Sequence, residues 1–300
     1  MNPKNLLDQC RQSIFLYYSN FVLLKFYFRQ RIYKNTLANL QIITLTSDFG
    51  NNSHYLAAVK GKIFQLIPDT QLVDISHEVS NYDVLQASFL LRNSFKNFPV
   101  GTIHVLFVDS NIKMHKQFLV VKNEGHYFIS ADNGIFNLMF DEISDDVWQI
   151  KFEEKLSENL FFEKDVFAQA IKNIVSEIPF EKFLIKSKIN TILHNSMQAV
   201  VNENTIRASI IFIDKYQNAF VNISQKLFEE NRKGRKFKLY YFGKNYLTKI
   251  AKHYTEIEEG NELALFNENG YLEIAINKGA AAQLLGLRVG QKVIVEFDIA

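Results

Sequence analysis

Three aspartates stand at or just past the ends of short apolar segments that predict strands: Asp48, Asp74 and Asp109. In open α/β sheets, ligands bind where the loops at the carboxyl ends of the strands converge. A carboxylate at that place can accept hydrogen bonds from both hydroxyls of a ribose, as acidic residues do in dinucleotide sites. An aspartate after a strand also commonly caps a loop or forms a turn. Position alone therefore leaves both interpretations open.

Metal chemistry and conventional methyl transfer are both disfavoured by spacing. A metal hydrolase could gather Asp48, His77, Asp109 and Asp132, but no His-x-x-x-His, Cys-x-x-Cys or paired-carboxylate spacing occurs. We therefore predict no metal site. A conventional methyltransferase needs a Gly-rich turn between its first strand and helix, where Gly50 stands alone.

Charge and cysteine content limit the partners and the setting. The 300 residues carry a net charge of +2, which gives no broad attraction to nucleic acid or acidic membranes. The densest basic run, Arg232 to Lys238, is interpreted as a solvated hairpin tip because Gly234 fits a turn. We predict no nucleic-acid partner. Cys10 is the only cysteine and cannot form an internal disulfide, which favours a reducing, cytoplasmic setting.

The first forty residues differ in composition from the rest. Ser13 to Phe28 is strongly apolar but contains Lys25, and it is shorter than the ~20 apolar residues that a membrane span needs. The cluster from Arg29 to Arg31 offers no small-residue cleavage site for a signal peptide. We predict no membrane span, and interpret residues 1–40 as an N-terminal extension that could form a helix. A peripheral membrane or partner contact is the alternative.

The elements that position the aspartates alternate in type. Leu40 to Thr46, Leu72 to Ile75 and Gly101 to Asp109 predict strands, and helices are expected from about Ser53 to Leu66 and after Asp83. This alternation predicts an α/β domain with a mostly parallel sheet, over residues 41–190.

The later half has another pattern. Short strands and turns predict a smaller C-terminal β-barrel domain over residues 197–300. The strands are expected at Ile206 to Asp214, Phe237 to Phe242, Glu262 to Phe266, Tyr271 to Ile276 and Lys292 to Phe297.

A set of short motifs follows in a fixed order, each weak alone and specific together. They are Thr46-Ser47-Asp48-Phe49-Gly50, Tyr55, Lys60-Gly61, Pro68, Val73-Asp74-Ile75-Ser76-His77-Glu78, Tyr82-Asp83, Phe98 to Val105, Val108-Asp109, Asp132-Asn133-Gly134, Ile213 to Asn218, Gly270 to Asn277 and Gly286. In this order the chain, from roughly Ile42 to Phe297, resembles the S-adenosylmethionine-cleaving adenosyltransferases: hydroxide adenosyltransferases, fluorinases and chlorinases.

The resemblance implies a reaction and an assembly. A nucleophile displaces methionine from C5′ of S-adenosylmethionine in one in-line step, and with water the products are adenosine and methionine. The sulfonium is a good leaving group, so the enzyme aligns, desolvates and activates the nucleophile. No cofactor is expected beyond the substrate itself. The resemblance also implies a homotrimer with the site at the subunit interface.

The resemblance assigns roles to individual residues. Asp48 aligns with the aspartate that grips the ribose hydroxyls. Tyr82 corresponds to an aromatic beside the substrate; an ordinary core tyrosine is the alternative. Asp214 and Asn218 match a pair that meets the methionine amine and the adenine edge. The remaining positions expected to bind substrate are Tyr55, Asn133, Phe220, which falls against the base, Asn269, at the methionine end, and Asn277, beside the adenine edge.

The nucleophile side of the site departs from the family. Asp109 matches the aspartate that hydroxide-using members use to prepare water, so it favours water over halide. The family's arginine position falls on Lys116, which lacks the planar fork that orients a carboxylate, and Phe162 stands where a histidine is expected. Unless Glu163, His115 or another group substitutes, general-base help is weakened. We therefore expect slow hydrolysis of S-adenosyl-L-methionine, with Asp109 and Lys116 as its catalytic residues. A relative that binds adenosyl ligands without efficient turnover is the alternative, and a halide-using member is a weaker one.

Overall fold

The computed structural model describes residues 40–111, 115, 117–140, 142–153, 161–190 and 198–299. The predicted N-terminal extension lies outside the described residues apart from Leu40, and so does Lys116. Within the described residues, no helix is long and apolar enough to cross a membrane.

The first sheet has seven strands in the spatial order β2-β1-β3-β5-β4-β6-β7. Its strands are β1 (Gln41–Ser47), β2 (Thr70–Ser76), β3 (Ile103–Phe107), β4 (Phe118–Asn123), β5 (His126–Ala131), β6 (Val147–Ile150) and β7 (Leu184–Lys186). The run β2-β1-β3-β5 is parallel, and β4, β6 and β7 add antiparallel pairs. This arrangement confirms the predicted α/β class. Four neighbouring strands of the sheet, β2, β1, β3 and β5, run parallel to one another.

Helices cover both faces of this sheet. They are α1 (His54–Leu66), α2 (Val84–Arg92), α3 (Ile135–Met139) and α4 (Glu163–Val175). Alternate residues of the strands point to opposite faces, as Val105 and Leu106 of β3 do. The face of Val105 packs against α1 and α4, and the face of Leu106 packs against α2 and α3. The result is a three-layer domain whose strand ends are left open for a site.

Local capping fixes where the first two helices begin. The hydroxyl of Ser53 accepts the N–H of Tyr55 at 3.2 Å, and a carboxylate oxygen of Asp83 accepts the N–H of Gln86 at 2.9 Å. Both bonds satisfy backbone donors that the first helical turn leaves free. The cap at Asp83 confirms the helix start that the sequence predicts.

The second sheet has nine strands and curls into a nearly closed barrel. Eight of them follow the order β12-β11-β16-β9-β10-β15-β14-β13, and β8 pairs with β9. The strands are β8 (Val200–Asn202), β9 (Thr205–Ile213), β10 (Ala219–Ser224), β11 (Phe237–Phe242), β12 (Asn245–Leu247), β13 (Ile250–Ala251), β14 (Glu262–Phe266), β15 (Tyr271–Ile276) and β16 (Lys292–Phe297). The two outermost strands, β12 and β13, are joined by two residues, so the sheet edges lie within about 11 Å of each other.

The barrel interior is apolar. Residues such as Ile210, Val221, Leu239 and Ile274 point inward. Phe228 of the helix α5 (Gln225–Arg232) packs against the same core, and a short helix α6 (Ala281–Leu285) follows β15. The predicted second, β-barrel domain is confirmed in class.

An aromatic cluster joins the two parts of the chain. The ring of Phe89 in α2 lies 4.8 Å from that of Phe212, 5.5 Å from Phe220 and 5.5 Å from Tyr271. Aromatic rings at these separations add to the free energy of apolar burial. Phe220 therefore packs between the sheet domain and the barrel.

Two sequence interpretations are corrected. The third strand is Ile103–Phe107, shorter than Gly101 to Asp109, because Gly101 and Asp109 take positive φ values of 91° and 44° that no strand accommodates. The basic run at Arg232 is the end of α5 and the turn to β11, with Lys233 and Gly234 in the left-handed region. It is not a hairpin tip.

Candidate active site

The strand order of the first sheet reverses between β1 and β3. The chain passes from β1 outward to β2 and then returns to the other side of β1 with β3. At such a switch point the loops leaving the two neighbouring strands diverge and open a crevice, where α/β sheets bind ligands. Asp48 directly follows β1, and Asp109 lies two residues beyond β3. The topology thus brings the two aspartates to one crevice.

The loop that carries Asp48 is fixed by its backbone. The N–H of Tyr82 donates to Oδ2 of Asp48 at 2.9 Å, and the N–H of Gly50 donates to the carbonyl of His77 at 2.8 Å. Oδ1 of Asp48 makes no hydrogen bond to the described residues. The carboxylate is therefore oriented by one oxygen and can accept a ligand hydroxyl with the other.

Tyr82 stands out by its backbone and its exposure. Its φ of 64° lies in the left-handed region, which an aromatic residue rarely occupies. Its side chain is 72% exposed, so the ordinary core role is excluded. Strained residues cluster at ligand sites, and the bond from this N–H to Asp48 ties the strain to the site.

Asp109 is paired with a histidine. Nε2 of His115 lies 2.9 Å from Oδ2 of Asp109, and the side chains are 14% and 21% exposed. Asp109 itself takes the left-handed φ of 44°, a conformation that aspartate tolerates better than most residues. The carboxylate is thus half-sheltered, oriented by an imidazole and open at Oδ1 among the described residues.

Asn133 is buried behind Asp109. Its Nδ2 donates to the carbonyls of Val108 at 2.8 Å and Asp109 at 3.2 Å, and its Oδ1 accepts the N–H of Ile135 at 3.2 Å. Both donor hydrogens and the oxygen are therefore engaged by backbone, with 4% of the residue exposed. Asn133 thus holds the backbone of Asp109, and its predicted contact with substrate stays a prediction.

Aromatic rings line the crevice beside Asp48. The ring of Tyr55 lies 5.1 Å from Phe161 and 6.1 Å from Phe49, and Phe161 is also 6.5 Å from Phe107 at the end of β3. Tyr55 is 46% exposed. Phe49 follows Asp48 in the chain and Phe107 ends β3, so these rings form an apolar cluster at the ends of the strands that carry the two aspartates.

The start of α4 carries the residues that replace the family's histidine segment. Phe162 is buried among Phe118 and Phe152, with ring centroids 5.8 and 5.6 Å away. Glu163 is buried as well, and among the described residues its Oε2 has no hydrogen-bond partner. Burial raises the pKa of Glu163. Within the same residues, neither side chain forms a hydrogen bond with Asp109.

Asp74, the third predicted aspartate, belongs to a supporting network. Its carboxylate lies 2.7 Å from Nζ of Lys60 and 3.0 Å from Nε2 of His77, and Nδ1 of His77 lies 2.7 Å from Oγ of Ser47. Burial opposes ionisation of Asp74, but the bonds from Lys60 and His77 outweigh it and lower its pKa. Ser47 and His77 are buried, so this chain of contacts braces the loop before Asp48 and offers no exposed nucleophile.

A second polar pocket lies on the barrel. Its volume is about 680 Å³, and its walls include Asp214, Asn218 and Asn277. A tight turn sets the first two: the N–H of Asn218 donates to Oδ1 of Asp214 at 2.8 Å, and the N–H of Asp214 donates to the carbonyl of Asn218 at 3.1 Å. Tyr216, at the tip of this turn, is 81% exposed.

Side chains that the sequence did not single out complete this pocket. The hydroxyl of Tyr254 donates to Oε1 of Glu273, and Nδ2 of Asn218 lies 3.4 Å from that hydroxyl. Burial, and then repulsion from Asp214, raises the pKa of Glu273; burial and the bond to Glu273 raise the pKa of Tyr254. Their pairing could not be read from the chain, because 19 residues separate the two partners.

The other predicted barrel residues lie in different places. Asn277 lines the pocket and donates Nδ2 to the carbonyl of Ile257 at 2.7 Å. Phe220 lies on the outer face of the barrel, where it is the cross-strand partner of Glu273. Its ring packs on the sheet domain. Asn269 is exposed at the tip of the β14–β15 hairpin, at the other end of β15 from Asn277 and so roughly 20 Å away.

Among the described residues, no group of three or more His, Cys, Asp or Glu side chains could hold a metal ion. The hydrogen bonds recorded for Asp48, Tyr82 and Asp109 stay within the sheet domain, and those for Asp214 and Asn218 stay within the barrel. The candidate site thus consists of two half-sites. One presents carboxylates at a sheet edge, and the other presents a mixed amide, carboxylate and phenol pocket.

Comparison with known proteins agrees with this architecture. Residues 43–184 match the SAM hydroxide adenosyltransferase N-terminal domain, and residues 208–294 match the C-terminal domain of the same family. A protein of Methanocaldococcus jannaschii named (R)-S-adenosyl-L-methionine hydrolase is 26% identical, over 83% of this chain and 93% of its own. A protein of the same name from Thermus thermophilus is 23% identical, over 82% and 96%.

Solved structures share the fold. An uncharacterized conserved protein from Thermotoga maritima superposes with a TM-score of 0.71 at 25% identity, covering 85% of this chain and 99% of its own. A conserved hypothetical protein from Thermus thermophilus gives a TM-score of 0.65 at 20% identity, covering 86% and 100%. With both family domains matched in order, the chain belongs to the SAM hydroxide adenosyltransferase family.

Proposed function

We propose that this protein hydrolyses S-adenosyl-L-methionine at C5′ to adenosine and L-methionine, by in-line attack of water or hydroxide. The observation that carries the proposal is the pair of half-engaged carboxylates, Asp48 and Asp109, at the switch point of a family member. The relatives from Methanocaldococcus and Thermus bear the name of this activity for the (R) sulfonium epimer.

The reaction needs little from the protein besides geometry and a proton acceptor. The water oxygen forms a bond to C5′ while the C5′–S bond breaks, and the electron pair stays on the neutral thioether of methionine. One proton leaves the attacking water. Asp109, open at Oδ1 among the described residues, accepts that proton or orients the hydroxide. Lys116, at the family's arginine position, is the residue to which we assign the assisting positive charge. Removing such an acceptor commonly lowers a rate by ~10²–10⁴.

Asp48 binds the ribose in this proposal. Its Oδ1 accepts a ribose hydroxyl, while Oδ2 is held by the N–H of Tyr82. Tyr82 and Tyr55 supply exposed rings beside the sugar, next to the apolar wall of Phe161. A fixed sugar places C5′ relative to Asp109, and this alignment is the larger part of the catalysis of a one-step displacement.

The barrel pocket receives the polar ends of the substrate. Asp214 pairs with the methionine ammonium, and Asn218 and Asn277 contact the adenine edge, with Phe220 and Asn269 as outer contacts. The support is that Asp214, Asn218 and Asn277 line one pocket. A pocket that hydrogen-bonds a base edge rejects analogues lacking those groups, because its own polar groups would stay unpaired.

The assembly and setting are also inferred. We infer a homotrimer in which the barrel pocket of one subunit completes the sheet-edge site of its neighbour. This is supported by the separate bonding of the two half-sites. Sedimentation should give three times the 34.9 kDa of one chain, and a monomer that hydrolyses the substrate would overturn the trimer. A reducing, cytoplasmic location follows from the lone Cys10 and is tested by cell fractionation.

The activity is tested with the purified full chain. Incubation with S-adenosyl-L-methionine should release adenosine and methionine in equal amounts, followed by chromatography, faster than in buffer. Prior treatment with EDTA should leave the rate unchanged, because no metal or cofactor takes part in the proposal. Chloride or fluoride should yield no halogenated nucleoside.

Binding without turnover is the second candidate. The observation in its favour is Phe162, an apolar ring buried in the core where the family has a histidine. It predicts tight binding of S-adenosyl-L-methionine by calorimetry, with adenosine formation no faster than in buffer. That result would replace the hydrolase proposal.

A further inference from the structure

The contact between Asp109 and His115 is unexplained by the family pattern, whose basic partner falls on the next residue, Lys116. Nε2 of His115 lies 2.9 Å from Oδ2 of Asp109, the length of a charge-assisted hydrogen bond. The backbone on both sides of the pair is held. The N–H of His115 donates to the carbonyl of Asn111 at 3.1 Å, and Asn133 holds the carbonyl of Asp109.

Phe162 and Glu163 are the two other candidates for the role of the family's histidine, and the structure disfavours both. Phe162 has no polar atom in its side chain and sits in the core. Glu163 is buried, and within the described residues its Oε2 has no hydrogen-bond partner, so nothing links it to Asp109. Among these candidates, His115 is the one that contacts the Asp109 carboxylate.

We propose that His115 is the positioning residue that orients the Asp109 carboxylate for attack of water. His115 occupies neither of the family's two positions, yet it serves as the basic partner of Asp109 in place of the family's arginine and its distant histidine. The inference rests on the proposed hydrolysis. With Nε2–H donating to Oδ2, the ring fixes the carboxylate plane and directs Oδ1 toward the nucleophile.

Two variants of His115 separate the hydrogen bond from the rest of the side chain. His115→Phe removes the donor, and kcat should fall about 10- to 100-fold, the worth of one hydrogen bond to a charged group, with KM changed less than about twofold. His115→Gln keeps an N–H donor, so its kcat should fall less than that of His115→Phe. His253→Gln, at an exposed histidine of the barrel, is the matched control and should keep the wild-type rate.

A double variant guards against a merely structural effect. If His115 acts through Asp109, adding His115→Phe to Asp109→Asn should cost nothing further. Calorimetric binding of adenosine should be the same in all variants, which shows that each is folded.

Three results would overturn the inference. The first is a wild-type rate in His115→Phe; the second is a kcat in His115→Gln no higher than in His115→Phe. Either, with adenosine still formed by the wild type, refutes the role of His115 and leaves hydrolysis standing. The third is a wild type that forms no adenosine, which refutes the hydrolysis and the role together.

Discussion

The loops at the carboxyl ends of β1 and β3 form one edge of the first sheet. This edge and the pocket of the barrel hold their polar side chains by different means. At the edge, each functional carboxylate is held at one oxygen, Asp48 by the N–H of Tyr82 and Asp109 by the ring of His115. The loop under Asp109 is fixed separately, since Asn133 binds its carbonyl. In the pocket, side chains hold one another, as Asn218, Tyr254 and Glu273 do. The edge should therefore keep its shape when a functional side chain is changed, whereas a change in the pocket should disturb its neighbours.

The largest expected effect is at the edge. Asp109→Asn keeps the size of the side chain and its backbone support but removes the proton acceptor. We expect kcat to fall by ~10²–10⁴ while the dissociation constant for adenosine stays within about twofold. Steady-state kinetics with calorimetry measures both. An equal loss of binding would show that Asp109 holds substrate and does not prepare water.

Asp48→Asn should act mainly on binding. The amide can still accept from the N–H of Tyr82 but loses the charge that a ribose hydroxyl favours. Hydrogen bonds to charged groups are worth about 1.5–3 kcal/mol, so adenosine should bind roughly 10- to 150-fold more weakly. Unchanged affinity would place the ribose elsewhere and remove the main difference between the two aspartates.

In the barrel, Tyr254→Phe should show a coupling that spreads over several side chains. The change removes the phenol that donates to the buried Glu273 and accepts from Asn218, so KM should rise about tenfold and the thermal midpoint should fall. Tyr246→Phe, at a partly exposed ring packed on Tyr240, is the control and should change neither. A rise in KM without any loss of thermal midpoint would mean that the pocket is as rigid as the edge.

The two domains should also differ in how their stability depends on pH. Burial, with the charge of His126, lowers the pKa of His104 to about 3, below its ordinary 6.5. The unfolded chain then binds more protons than the folded one between these values, so stability present above pH 6.5 is lost as pH falls toward 3, by a few kcal/mol at most. Acid unfolding of the sheet domain should shift to lower pH in His104→Gln.

Glu273 contributes a pH dependence of stability with the opposite sign. Its pKa is raised by burial, so the folded barrel holds a proton that the unfolded chain has released, and stability falls as pH rises above the ordinary value of 4.5. Glu273→Gln keeps an acceptor for Tyr254 without the charge and should raise the thermal midpoint at neutral pH. A lower midpoint would show that the charge of Glu273 is needed for the fold.

Much of the fold could be read from the chain. The strands Phe237–Phe242, which alternates between buried and more exposed residues, and Tyr271–Ile276, which is almost wholly buried, have the bounds that the sequence predicts. The helix Gln225–Arg232 was not predicted, because it is polar and buries only Phe228, so it has no apolar stripe. The strand Ala219–Ser224 was not predicted either, because Asn222 and Ser224 break its apolar pattern. The predicted domain boundaries stay predictions.

The candidate site was predictable to a lesser degree. Asp48 and Asp109 could be placed because parallel strands end at one edge, a property of the topology. The engagement of the Asn133 amide, the bond between His115 and Asp109, and the pairing of Tyr254 with Glu273 depend on side-chain orientation and on contacts distant in sequence. Residue type and spacing do not determine these.

The most direct test of the account is the fate of oxygen from water. The full chain is incubated with S-adenosyl-L-methionine in ¹⁸O-labelled water, and the adenosine and methionine are analysed by mass spectrometry. In-line attack at C5′ predicts one ¹⁸O atom in every enzymatic adenosine, on the 5′ carbon, and none in methionine. Adenosine without the label, or adenosine formed no faster than in buffer, would contradict the proposed function of the Asp48 and Asp109 site.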